Sequence, residues 1–241
     1  MTRARLLALL LGASFLGACT APATNYGPYL DHMPRSILVL PPLNHTTDVD
    51  AGGTFLSTIS RPLAECGYYV YPVAVVEAMM QENGLPTPAD MHQVPPGKLA
   101  EVFDADAALY VVIKEWTTRY VLIDTTTVVT LDYRLVDLKT STELWHQQMR
   151  MQQSSSAGSR SALEMMVGAL VKAIAKSVST PERGVAVQAN SKMFADPQKG
   201  LLKGPHHPEF AKEQEQRRRG QESRPAASTP DANARIEAAQ P

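Results

Sequence analysis

The chain has 241 residues, 44% of them hydrophobic and 20% charged, which suits one globular core with tails. A formal net charge of −1 gives no ground for a nucleic-acid partner, because that association needs a basic face large enough to displace counterions from phosphates. Cys19 and Cys66 allow one disulfide at most.

Met1-Thr-Arg-Ala-Arg5 is a positive start, and Leu6 to Phe15 an apolar run of about ten residues, well short of the ~20 that cross a bilayer. Leu16-Gly17-Ala18-Cys19 follows and resembles the bacterial lipobox. Residues 1–18 therefore read as a lipoprotein signal peptide. Cleavage would leave Cys19 as the first mature residue, carrying a covalent diacylglycerol and an acyl chain. Several chains, at ~0.8 kcal/mol per buried methylene, hold a protein in a membrane where one does not. The thioether leaves Cys66 unpaired, and Thr20, where an Asp would signal inner-membrane retention, favours the outer membrane.

Residues 19–34, with Pro22, Gly27, Pro28 and Pro34, read as a flexible tether, and residues 35–195 as the folded domain. Ile37-Leu-Val-Leu40 is a continuous apolar run stopped by Pro41-Pro42, as expected of a strand buried on both faces. Phe55, Ile59, Leu63 and Cys66 then recur at helical spacing, with Asp50 or Thr54 as cap and Gly67 as stop. Tyr68 to Pro72 predicts a strand, Val73 to Asn83 a helix, and Gly97 to Phe103 another brief helix after a proline-rich loop. Ala107 to Trp116 should lie at the sheet centre. Val129, Leu131, Tyr133 and Leu135 alternate with Thr130, Asp132 and Arg134, so one face of that strand is wet. With Leu144 to Met151 these runs form an antiparallel meander. Leu163 to Val178 predicts a helix of about five turns packed on the sheet, and Arg183 to Met193 one more short helix. From Asp196 to Pro241 large apolar residues thin out, and a disordered polar tail is expected. The fold class is α/β: a mixed sheet of about five strands containing an antiparallel meander, with helices packed on it.

Catalytic and metal-binding patterns are sparse. Asp48-Val-Asp-Ala-Gly-Gly53 lacks the Gly-Lys-Ser/Thr ending of a phosphate loop, and the six histidines have no metal-ligand spacing. Ser154-Ser-Ser-Ala-Gly158 is no nucleophile elbow. Cys66 falls on an apolar helical stripe and reads as a small core side chain. No catalytic residue, cofactor or metal is expected. Trp116 and Tyr120 flank an expected turn and are candidates either for sheet packing or for exposed anchors of a protein interface. Arg217-Arg-Arg219 reads as a solvated charge run, with anionic lipid or cell-wall polymer as the alternative contact.

His32 to Asn44, Pro62 to Pro72, Asn83-Gly84 with His92-Gln-Val-Pro95, and Asp104 to Tyr110 together resemble a family of bacterial lipoproteins. It is built around a domain of unknown function and includes a genome-derived neisserial lipoprotein antigen. The resemblance spans about Cys19 to Phe210. It implies a body similar to the N-terminal domain of the translocation protein TolB and to lipoprotein activators of peptidoglycan synthases. It also implies a companion lipoprotein of the curli-secretion-channel type. The expectation is a non-enzymatic binding or assembly component of the envelope, its body in the periplasm or at the cell surface. A regulator of a peptidoglycan synthase is the second expectation and a cell-wall hydrolase the last.

Overall fold

The computed structural model describes residues 24–121, 124–154 and 181–222. Its first elements are α1 (Gly27–His32), β1 (Ser36–Val39), β2 (Leu43–Asn44), α2 (Ala51–Glu65), β3 (Tyr69–Val70) and α3 (Val73–Glu82). Then come α4 (Pro88–His92), α5 (Pro96–Phe103), β4 (Ala107–Val121), β5 (Asp124–Asp137), β6 (Glu143–Ser154), α6 (Pro181–Phe194) and α7 (Phe210–Glu222). The helix expected over Leu163 to Val178 lies outside the described residues, as do the expected leader and Cys19.

The order β3-β1-β4-β5-β6 makes one mixed sheet. β1 runs parallel to both β3 and β4, while β4, β5 and β6 form the antiparallel meander. A sixth strand was not foreseen. Pro41 and Pro42 interrupt the ladder after Leu40, whose amide still reaches Leu109 O, and pairing with β4 resumes when Leu43 meets Val112. Prolines halt the ladder because they donate no hydrogen bond, but two residues later the chain is still beside its neighbour.

The two crossovers lie on opposite faces. α2 buries Phe55, Ile59 and Leu63, spaced four residues apart, against Ile37, Val39 and Leu109. α3, α4 and α5 place Val76, Met80, Met91 and Leu99 against Leu38, Leu40 and Ala108 on the other face. Successive residues of β1 thus enter different cores, which explains why the run is apolar throughout. Gly67 ends α2 with φ +89°, a conformation that favours glycine.

Two segments differ from expectation. The tether expected over 19–34 is part of the body from Thr24 onward: Tyr26 and Tyr29 are buried, and α1 packs beside β6. Two aromatic rings remove enough surface from water to dock a short helix that composition alone marks as linker. The disordered tail expected from 196 is likewise corrected over residues 196–222. Leu201 and Leu202 enter the core, Gly204 N donates to Cys66 O at 2.7 Å, and α7 follows. Two leucines and a backbone bridge are too sparse a pattern to stand out in a polar stretch.

The short helix expected over 183–193 is α6, fourteen residues long. It carries Val185, Ala186, Ala189, Met193 and Phe194 into the core against β5, β6 and α2. A polar chain runs through that contact: Tyr133 Oη donates to Asn190 Oδ1 at 2.5 Å, Asn190 Nδ2 to Thr58 Oγ1 at 2.9 Å, and Thr58 Oγ1 to Phe55 O at 2.6 Å. Each buried polar atom in this chain has a partner, so β5, α6 and α2 are tied without an orphaned group.

Candidate interaction surface

Cys66 caps the end of α2 and packs, half-buried, on the core. Burial first, then the Glu65 charge, pushes its thiol up to about 11. It lines a cleft of about 670 Å³ with Phe194, Leu201, Lys203 and Glu213. A thiol raised so far is protonated at neutral pH and is a poor nucleophile. Among the described residues, no three His, Cys, Asp or Glu side chains converge as a metal-binding group.

The outer face of the meander carries its charges in pairs. Asp132 on β5 accepts from Lys114 Nζ on one side and lies 2.8 Å from His146 Nε2 on the other. Partial burial raises its carboxyl, but the Lys114 and His146 hydrogen bonds outweigh that and hold it below the ordinary carboxylate range. Next along the strands, Glu115 accepts from Thr130 Oγ1 at 3.0 Å and faces Arg150 at 3.4 Å. Arg134 lies over the Tyr110 ring, 5.1 Å from its centroid. This is a partly solvated ladder of cross-strand pairs, with Asp132 on the wet face that alternation predicts.

Trp116 is not an exposed anchor. It is only 4% exposed and belongs to the main core. Two facts place it there. β4 continues to Val121, so Trp116 lies within a strand rather than at a turn. A bulge between Ile113 and Glu115 shifts the register, so Lys114 and Glu115 both meet partners on the outer face and Trp116, opposite Val129, turns inward. Strict alternation from Ile113 would have turned it outward. Tyr120 pairs with Thr125 in the same ladder; the expectation for its side chain lies outside the described residues.

One exposed aromatic group lies instead at the short edge strand β3, apart from exposed Val49 before α2 and Val187 on α6. Tyr69 is 54% exposed and meets Tyr71 edge-on at 5.2 Å, and Tyr71 meets Phe103 at 6.5 Å. Val102, next to Phe103 on α5, is 57% exposed; Val75 and Met79, four residues apart on α3, are exposed too. The inward-directed amides of Tyr69 and Tyr71 bond Arg35 O and Ile37 O of the β1 segment, which leaves the other side of β3 as a sheet edge. Tyr69 lies in a strand, as its sequence predicts. The brevity of that strand and its position at the edge have no local signature, because they depend on how the crossovers order the sheet.

Residues 24–206 match the profile of the GNA1162-like lipoproteins. A lipoprotein of Neisseria meningitidis serogroup B, NMB1124/NMB1162, is 39% identical over 181 residues, covering 75% of this chain and 83% of the relative. The crystal structure of lipoprotein GNA1162 from Neisseria meningitidis is 42% identical, with a TM-score of 0.49, over 59% of this chain and 99% of that one. The PelC dodecamer of Paraburkholderia phytofirmans is 17% identical, with a TM-score of 0.44, over 74% of this chain and 95% of that one. With its profile matched over most of its length, and a relative of this identity, the chain belongs to the GNA1162-like lipoprotein family.

Proposed function

We propose that this lipoprotein is a non-enzymatic binding component of the cell envelope, held in the outer membrane through diacylglycerol and an acyl chain on Cys19. The observation that carries the binding reading is the β3 flank. A sheet edge there carries exposed Tyr69, whose ring meets Tyr71 and, through it, Phe103 next to exposed Val102. Clustered apolar groups beside a sheet edge suit a protein partner better than a small substrate. Family resemblance supplies the kind of partner: an envelope lipoprotein similar to the curli-secretion channel. The high pKa of Cys66 supports a body that does not act by thiol chemistry.

Site-directed photocrosslinking in intact cells tests this. A crosslinker at Tyr69 should give one discrete adduct, lost when Cys19→Ala prevents anchoring, and one at exposed Arg61 on α2 should not. Equal, diffuse labelling from both positions would sink the proposal.

A further inference from the structure

The C-terminal stretch is attached in two ways. The strap of residues 196–207 is locked: Leu201 and Leu202 lie in the core, Trp145 Nε1 donates to Lys199 O at 2.8 Å, and His206 N donates to Gly67 O at 3.1 Å. Gly67 and Gly204 pack so closely that a Cβ on either would overlap the opposing backbone. α7 follows the strap and lies beyond the residues 24–206 that match the family profile. Of its side chains only Phe210 and Ala211 are apolar, so it has little surface to bury.

Lys203 is the point at which α7 meets the strap. Its ammonium pairs with Glu209, at the start of the helix, and its backbone amide donates to Glu213 Oε2 at 2.9 Å. Residues four apart share one side of a helix, so a single strap residue engages both carboxylates. On the same side Lys212, Glu213 and Gln216 wall the cleft whose floor is Pro62, Cys66, Phe194 and Leu201. About 670 Å³ of that cleft stays open, so α7 stands over the floor and is not packed into it. Among the described residues, Gln214 Oε1 on α7 is the buried side-chain oxygen without a hydrogen-bond partner, a desolvation cost that docking leaves unmatched. The Lys203–Glu209 pair that opposes this cost is partly exposed and therefore screened by salt.

We propose that Lys203 and the cleft beside Cys66 form a docking site for an acidic helix with two carboxylates four residues apart, and that α7 is its detachable occupant. The bonds that lock the strap run to Trp145 and Gly67 and not to α7, so release of the helix leaves the core closed. Release uncovers the apolar floor and frees the amide and ammonium of Lys203 for another helix of the same chemistry. With α7 in place, such a helix is kept out. The site depends neither on the lipid at Cys19 nor on a partner at Tyr69.

The test uses the full chain with Cys19→Ala, in which Cys66 is the single thiol. Cys66 is alkylated under native conditions by a small and, separately, by a bulky maleimide, and the ratio of the bulky to the small rate is the readout. The ratio cancels any change in thiolate fraction, which matters because the Glu213 charge raises the thiol and Lys203 lowers it. Glu209→Gln combined with Glu213→Gln should raise the ratio several-fold. Glu215→Gln, on the same helix but paired with Arg219, should leave it unchanged. A peptide of residues 208–222, added at millimolar concentration to the double variant, should bring the ratio back to the wild-type value, and the same peptide with Glu209→Gln and Glu213→Gln should not. An unchanged ratio in the double variant, an equal rise with Glu215→Gln, or no difference between the two peptides overturns the proposal.

Discussion

One face of the β4–β6 meander is dry, and the other is wet beyond Ala108, Tyr110 and Val136, which α3–α5 cover, although alternate residues of the same three strands supply both. On the dry side Tyr133, Trp145 and Phe194 meet with ring centroids 5.5 to 6.1 Å apart, and Trp116 and Val129 extend the same core. On the wet side Asp132 hydrogen-bonds Lys114 and His146 at a partly solvated surface. Geometry is well ordered on both faces, but the energetic weight is not equal. Burying rings removes apolar area from water, whereas pairing charges near water exchanges one good solvation for another. The contrast teaches that the solvated part of the outer face, around Lys114, Asp132 and His146, is open to change at low cost, and that stability on the dry side is carried by the contact of β5 and β6 with α6 and α2.

Neighbours in sequence give the comparison its sharpest form. Trp116→Ala should cost ~3–5 kcal/mol, measured by urea denaturation, because it empties a buried aromatic site. A loss near zero would mean that the bulge does not turn this ring inward. Asn190→Ala should cost ~1–3 kcal/mol, since the Tyr133 hydroxyl and Thr58 would lose their partner in the core. Retained stability there would show that water replaces the amide. On the wet face Asp132→Asn should change stability by no more than ~1 kcal/mol at neutral pH.

Acid refines the last of these. The folded-state pKa of Asp132 lies below its ordinary value, so its stabilising share is present above the unfolded carboxylate pKa of ~4 and is lost as pH falls through the folded value. Asp106 behaves in the same sense. Partial burial raises its carboxyl, but the amides of Arg35 and Ser36 and the charge of Lys139 outweigh that and lower it. The small gap in urea midpoint between wild type and Asp132→Asn should therefore close on acidification below pH ~4. A gap that widens in acid would contradict the sign.

Most of the sheet was legible beforehand because its signals are local. The period of Phe55, Ile59 and Leu63, the alternation from Val129 to Leu135 and the stop at Gly67 each depend on residues close in the chain. The interaction surface was less legible. Trp116 and Tyr120 drew attention as aromatics beside an expected turn, yet Trp116 belongs to the core, and the exposed ring is Tyr69. An aromatic at a strand position has the same local signature whether the strand is central or at the edge.

By itself, the sequence determined the α/β order and the wet and dry faces of β5, since periodicity is a property of neighbouring residues. Tertiary structure alone decided which way Trp116 faces, through a bulge that inserts one residue into a two-residue period. It also decided where the tether ends. Tyr26 and Gly200 are 174 residues apart, and their hydrogen bond exists only once α1, β3 and the strap have been brought to the same side of the sheet. Contacts at that separation leave no period in the chain, because the entropy of closing so long a loop is met by the assembled core and not by either segment.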